Sequence, residues 1–186
     1  ILGLGGLNVV VYYQGAVQRG RVFYDLHRAV DRHTLVQETL HAVESRHRQV
    51  KLITELFGVD GPPPSAADRD AFAARADEVP ALLARAVELA EADGAGPGEP
   101  RLDALYAKTV RLAESWKRFH ASLGVDPVGA IQEVVGTADP LALELIGEDF
   151  PLAVAREKAR FEEANDAFVR TARSSSRAAW TIFLLA

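Results

Sequence analysis

The sequence predicts an all-α protein, an up-down-up-down four-helix bundle with long first and last helices and a short-helix insertion between helices 3 and 4. Apolar residues recur at alternating spacings of three and four, which places them on one face of a helix. No stretch shows the sustained period-two alternation of a half-buried strand. Clusters of Gly and Pro divide the chain into a few long segments joined by turns.

The first helix is predicted by the longest apolar seam of the chain. The seam consists of Val22, Leu26, Ala29, His33, Val36, Leu40, Val43, His47 and Val50, and the pattern reaches Phe57. Residues 21–57 contain no Gly or Pro, and the proline-rich residues 58–64 end the helix. We therefore expect one unbroken helix that runs from the apolar N-terminal segment to Phe57.

The second helix is predicted to begin at Ser65, because Asp68 lies three residues later and the two form a capping box. Pro80 lies inside this helix and is expected to kink it, since proline removes one backbone donor. The Gly- and Pro-rich residues 93–100 form the next turn. The third helix is expected over residues 101–123, with Gly124 as its C-cap.

Residues 125–150 are predicted to be an irregular insertion, because Gly and Pro recur throughout them. Two short helices are expected inside this insertion, near residues 128–135 and 141–146. The last long helix is predicted to start at Pro151 and to continue into the apolar C-terminal segment. Because the first helix is longer than the second, the insertion is expected to cover its far end.

Composition limits the function classes. The chain has 186 residues, 48% of them hydrophobic, which suits one well-packed domain. The net charge of -5 argues against a nucleic-acid-binding protein, which normally carries a basic face. With no cysteine there is no disulfide framework, thiolate zinc site or thiol nucleophile. We find no catalytic motif, predict no catalytic residues, no metal site and no cofactor, and expect no enzymatic activity in this segment.

Both ends of the chain are apolar. Residues 1–13 and 178–186 are each predicted to be part of a transmembrane helix, with aromatic residues at their polar edges, as is typical of membrane interfaces. Each run alone is shorter than the roughly 20 apolar residues that span a bilayer. Residues 14–177 would then form a domain whose two ends meet the same membrane. The alternative is that both ends are helix tips buried in a soluble core.

The organisation resembles a known family. An apolar run that leads into the helix of residues 22–57, and a last helix over residues 154–172 that leads into residues 180–186, is similar to the extracytoplasmic four-helix-bundle sensor domains of bacterial chemoreceptors and sensor histidine kinases. The resemblance implies a homodimer in the bacterial inner membrane, facing the periplasm or the cell exterior. It also implies a cytoplasmic kinase, cyclase, phosphatase or chemotaxis domain beyond Ala186, and a ligand whose identity the sequence does not give.

The best candidate for a ligand site is the basic cluster of Arg46, His47, Arg48 and Lys51 in the distal part of the first helix. Arginine forks recognise carboxylate and phosphate groups, and the insertion of residues 125–150 is free to close a pocket there. The alternative interpretation is a solvated face with ordinary salt bridges.

Four of the five histidines lie on the first helix, and the aromatic residues of the third helix are a further candidate set. His33 and His47 lie in the seam and are interpreted as polar layers, whereas His27 and His41 are expected to face solvent. The alternative is a metal or proton sensor whose ligands are completed by another helix or by the dimer mate. Trp116 and Phe119 lie on an apolar stripe, which favours core packing over ligand stacking. Two other functions stay open: a structural or partner-docking helical stalk, and a soluble helical enzyme or metalloprotein.

Overall fold

A computed structural model describes the backbone of residues 2–57, 61–92 and 100–185, and the side chains of residues 16–55, 61–92 and 102–174. Every regular element in this part of the chain is helical, and no strand occurs there. The prediction of an all-α protein is confirmed.

The first helix, α1, spans Leu2–Leu52 and continues without a break as a π-helical turn over Ile53–Phe57. The predicted unbroken helix to Phe57 is therefore confirmed. Its buried residues are Arg32, Leu35, Val36, Thr39, Val43, His47 and Val50. His33 and Leu40 of the predicted seam are only half-buried, because the buried face turns toward Arg32 and Thr39. The Thr39 hydroxyl donates to the carbonyl of Leu35 at 2.7 Å, which satisfies it inside the helix.

The second helix, α2, spans Ala66–Ala92 and includes Pro80. The predicted capping box is present: Asp68 N–H donates to Ser65 Oγ at 3.1 Å, and Ser65 N–H donates to Asp68 Oδ2 at 3.2 Å. Pro80 is itself buried, so α2 lacks one backbone N–H donor on the face that packs against the core.

The third helix, α3, spans Pro100–Ser122 and ends at a glycine, as predicted. Gly124 has a φ of 68°, in the left-handed region that glycine adopts without strain. Space matters here as well, because a Cβ on Gly124 would overlap backbone atoms of Gly61, Pro62 and Pro63. The end of α3 is thus packed directly against the proline-rich turn that follows α1.

Residues 127–185 form one helical run, which differs from the predicted irregular insertion. Helices α4 (Pro127–Glu133), α5 (Asp139–Glu144) and α6 (Phe150–Leu185) are joined by π-helical turns over Val134–Ala138 and Leu145–Asp149. The backbone is right-handed helical at each junction. The two predicted short helices are present as α4 and α5, but the segment is the first part of the last helix and not a separate loop.

A short repeat explains why glycine and proline do not break this run. Gly136 precedes Pro140 by four residues, and Gly147 precedes Pro151 by four residues, so the pattern recurs after 11 residues. Proline cannot donate to the carbonyl four residues back and its ring crowds that carbonyl. In each case a π-type bond, from Asp139 N–H to Val134 O and from Phe150 N–H to Leu145 O, widens the turn just before the proline.

The chain divides into two compact units. The unit Thr34–Arg156 holds α2, α3, α4 and α5 with the distal part of α1, and its core includes Trp116, Phe119 and Phe150, which are fully buried. In this unit α2 packs along α3, and α3 packs against α4 and the π turn after it. Core packing of Trp116 and Phe119 is confirmed.

The other unit consists of Ile1–His33 and Glu157–Ala186, the proximal parts of α1 and α6. Arg32 contacts Glu157, and the ring centroids of Phe23 and Phe168 lie 6.2 Å apart. From the first contact to the second, the residue number falls on α1 and rises on α6, so the two helices run antiparallel here. Residues 1–13 and 178–186, predicted to belong to membrane helices, lie outside the residues whose side chains are described. No helix in the described part of the chain is both long enough and apolar enough to span a bilayer.

Candidate functional site

His47 and Lys51, two members of the predicted basic cluster, converge on Asp139 at the start of α5. His47 Nε2 lies 3.4 Å from Asp139 Oδ1, and Lys51 Nζ lies 3.7 Å from Asp139 Oδ2. The His47 side chain is only 8% exposed, whereas that of Lys51 is 45% exposed. Neither ring nitrogen of His47 has a hydrogen-bond partner within the described residues. A buried imidazole without partners is costly, which marks this cluster as the main candidate functional site.

Burial lowers the pKa of His47, and the positive charge of Lys51 lowers it further, whereas Asp139 opposes the shift. The lowered pKa keeps the imidazole neutral near pH 7, because transfer of a cation into this environment is unfavourable. In the neutral state the ring is close to Asp139 without a charge-assisted bond to it. Protonation of His47 would create such a bond to Asp139, the first residue of α5. The charge of this one buried ring therefore affects how α1 is held to the start of α5.

Arg46 and Arg48, the other two predicted members, do not face Asp139. Arg46 donates to the side-chain oxygen of Gln49, and its guanidinium carbon lies 5.8 Å from the ring centroid of Phe72 on α2. Arg48 is exposed. Residues four apart share a helix face, whereas neighbouring residues point about 100° apart, which explains why only His47 and Lys51 come together.

A second group of side chains lies between α2 and α3 and was missed by sequence reasoning. The rings of Phe72 and His120 are stacked, with centroids 4.1 Å apart and planes inclined by 7°. Burial lowers the pKa of His120; Asp68 acts in the opposite direction and Arg69 in the same one. These rings border an open pocket of about 310 Å³, whose lining also includes Arg69, Asp70 and Lys117. The position of His120 in the last turn of α3 is the one sequence signal that could have indicated the stacked pair of Phe72 and His120.

A larger polar groove lies between the end of α3 and the α4 segment. It has a volume of about 550 Å³ and is lined by Arg118, Ala121, Ser122, Gly129, Gln132, Glu133 and Thr137. Arg118 Nη2 donates to Glu133 Oε1 at 2.8 Å, so its two opposite charges already neutralise each other. The groove therefore offers polar contacts but little net charge to a ligand.

The other histidines of α1 behave largely as predicted. His27 and His41 are exposed and lie near carboxylates of their own helix, His27 3.6 Å from Asp31 and His41 3.4 Å from Glu44. His47 is buried, as its seam position indicated, and His33 is half-buried. Among the residues with described side chains, no three His, Asp or Glu side chains are grouped as metal ligands would be.

An ion pair is buried in the unit formed by the proximal parts of α1 and α6. Arg32 Nη2 lies 2.8 Å from Glu157 Oε1, and their side chains are only 5% and 1% exposed. Arg160 Nη1 also lies 3.3 Å from Glu157 Oε1. The sequence did not single out this pair, because Arg32 lies one position before His33 in the predicted seam.

Comparison of the chain with protein-family models, with curated proteins and with solved structures found no match.

The pKa of His47 predicts a pH dependence of stability. Because the folded pKa lies below that of an unfolded histidine, the unfolded chain binds more protons as the pH falls below about 6.5. The stabilising contribution is complete above that pH and is lost as the pH falls toward the folded pKa. We expect the free energy of unfolding to decrease from pH 7.5 to pH 5.5, with a slope of at most ~1.4 kcal/mol per pH unit for this one proton.

Urea unfolding at a series of pH values measures this slope. His120 contributes with the same sign, so the His47→Gln variant is expected to have a shallower slope than the parent rather than a flat profile. His41→Gln is the matched control, because His41 is exposed on the same helix. Equal slopes for His47→Gln and the parent would show that His47 does not carry the effect.

Proposed function

We propose that this chain is the extracytoplasmic sensor domain of a membrane-bound bacterial signalling protein, a histidine kinase or a chemoreceptor, and that it works as a homodimer. The observation that carries the proposal is the antiparallel pairing of α1 with α6. Contacts from Arg32 to Glu157 and from Phe23 to Phe168 support a path on which both apolar segments, residues 1–13 and 178–186, reach the same membrane.

We also propose that the helices form an up-down-up-down four-helix bundle. The support comes from the Thr34–Arg156 unit, where neighbouring helices make a closed set of contacts. Arg46 of α1 lies over Phe72 of α2, and α2 packs along α3. In turn α3 packs against α4, and His47 of α1 lies beside Asp139 of α5. Four helices that each contact two neighbours fit the bundle arrangement.

In this proposal the His47, Lys51 and Asp139 cluster is the ligand site. A ligand acts only through a difference in its affinity for two states, and the cluster joins two helices that would shift against each other. A small anion that pairs with Lys51, or one that favours protonated His47, would change how tightly α1 is attached to α5. Slight sliding of packed helices is an established form of such a response.

The competing function is a structural or partner-docking helical stalk with no small-molecule site. It is favoured by the solid packing around Trp116 and Phe119, and by the open form of the two pockets described above. A sensor and a stalk differ in whether a small molecule stabilises the domain.

Thiol labelling tests the location. The chain has no cysteine, so Ser45→Cys introduces one exposed thiol into it. In the full-length protein in intact cells, we expect a membrane-impermeant maleimide to label this position, with the unsubstituted protein as the background control. Labelling only after the cells are permeabilised would overturn the extracytoplasmic location.

Thermal unfolding tests sensing. The purified chain is screened with amino acids, small organic acids and inorganic phosphate, each at millimolar concentration. A compound present at 100 times its Kd stabilises the folded state by about 2.7 kcal/mol, which raises Tm by several degrees. We expect at least one such compound, and expect Lys51→Ala but not Lys158→Ala to abolish its effect. No shift from any of these compounds would favour the stalk.

A further inference from the structure

The side of the helical run that faces away from the core between residues 127 and 147 is almost free of charge. The exposed residues there are Val128, Ile131, Gln132, Val135, Gly136, Pro140, Leu143, Glu144 and Gly147. Glu144 alone among them is charged, and Lys108 of α3 donates to it at 2.8 Å. We call this set without Glu144 the outer face. By contrast, the exposed residues of α2 include the charged residues Asp68, Arg69, Asp70, Arg75, Asp77, Glu78, Arg85, Glu88 and Glu91.

The outer face presents large apolar side chains to solvent. Val128, Val135 and Leu143 are 65%, 62% and 63% exposed, and Ile131 is 45% exposed. The spacings of three, four and eight residues keep these four side chains on one side of the run. An aligned apolar stripe of this kind marks an interaction surface, whereas single exposed apolar residues need no explanation.

Two glycines give the outer face room for a close neighbour. A Cβ placed on Gly136 or on Gly147 would meet no atom within 4 Å. Because of the 11-residue repeat, each π turn has a glycine with open space beside it, and apolar side chains lie between the two glycines. Small residues on a helix face allow another helix backbone to approach closely, as in tightly packed helix pairs.

We propose that the outer face is where a second copy of this chain docks. In a two-fold symmetric contact each surface patch meets itself, so a charged patch would place like charges against each other. The chain carries a net charge of -5, and a side of the helical run whose one exposed carboxylate, Glu144, is paired with Lys108 lets two copies meet with little of that repulsion. Valine and leucine side chains of one copy then pack beside the open glycine positions of the other.

The size of the outer face sets how strong this contact is. A helix face of 20 residues is about 30 Å long and about 10 Å wide, or roughly 300 Å² per copy. A stable interface needs about 800 Å² per partner, so free copies in solution associate weakly through this face alone. The inference therefore rests on the proposed function, because anchoring of two copies in one membrane raises their effective concentration, as a tether does.

Disulfide cross-linking in the full-length protein in its membrane tests the inference. Single substitutions Val128→Cys, Val135→Cys and Leu143→Cys are compared with Leu152→Cys and Val125→Cys, which are 60% and 69% exposed but outside the outer face. Copies anchored in one membrane lie parallel, so each outer-face position meets its own counterpart. We expect at least fivefold more cross-linked homodimer at the three outer-face positions than at the two controls.

A second substitution provides an independent readout. Leu143→Glu is expected to reduce cross-linking through Val135→Cys at least fivefold, whereas Leu152→Glu leaves it unchanged. Equal cross-linking at outer-face and control positions, or adducts with a different protein in place of the homodimer, would overturn the inference. The thiol-labelling experiment is separate: cross-links at Leu143→Cys in a protein labelled only after permeabilisation would retain the docking face and reject the extracytoplasmic location.

Discussion

The Glu157→Ala variant is expected to lose about 3–5 kcal/mol of unfolding free energy, the largest effect of any single substitution considered for this chain. Glu157 and Arg32 are almost completely buried and lie 2.8 Å apart. Removal of the carboxylate takes a buried counter-ion away from the Arg32 guanidinium. Breaking a buried ion pair by removal of one partner is strongly destabilising, whereas replacement of both partners by apolar side chains is often nearly neutral.

Urea unfolding of the purified chain, followed by circular dichroism, measures this loss. Glu162→Ala is the matched control, since Glu162 lies 3.8 Å from Lys158 and both side chains are more than 60% exposed. Its expected cost is below about 0.5 kcal/mol. The double variant Arg32→Met with Glu157→Leu should recover most of the stability, because it removes both charges and fills the space. A loss for Glu157→Ala no greater than that of the control would contradict the buried pair.

The Gly124→Ala variant is expected to lose about 2–4 kcal/mol for two separate reasons. The φ of 68° costs a residue with a Cβ about 1 kcal/mol. The added methyl group would also overlap the backbone of Gly61, Pro62 and Pro63, and backbone atoms cannot rotate away as a side chain can. The end of α3 and the proline-rich turn would have to separate, at the further cost typical of overpacking.

Gly20→Ala is the control for this substitution. Gly20 lies inside α1, and a Cβ there would meet no atom within 4 Å. Alanine in an exposed helix interior is more favourable than glycine by about 0.5–1 kcal/mol, so the expected change has the opposite sign. Thermal unfolding of both variants distinguishes the cases: a lower Tm for Gly124→Ala and an unchanged or higher Tm for Gly20→Ala. If both variants gained stability, the tight contact at Gly124 would not exist.

The long helices and their ends could be predicted from the sequence because local signals specify them. The capping box at Ser65, the left-handed cap at Gly124 and the uninterrupted residues before Phe57 each act within a few positions of the chain. The π turns could not be predicted in this way. Gly136 and Pro140 individually indicate a break, and only their spacing of four residues allows the helix to widen and continue.

The candidate site could be predicted only in part. His47 and Lys51 are four residues apart on α1, so their shared face follows from helix geometry. Their partner Asp139 lies about 90 residues later in the sequence, and nothing local connects it to His47. The buried Arg32 was missed for a related reason, since the apolar seam favoured His33 and a charged residue is rarely buried unless a distant counter-ion pairs with it.

The π turns also affect how this chain is aligned with others. A π turn holds one residue more than an α-helix with the same number of turns, so a relative that lacks one would be shorter by a single residue at Val134–Ala138 or Leu145–Asp149. If the gap were placed outside the turn, each following residue would be matched to a position about 100° away around the helix. Relatives of this chain are therefore expected to show one-residue gaps at these two positions, although the positions lie within a continuous helix.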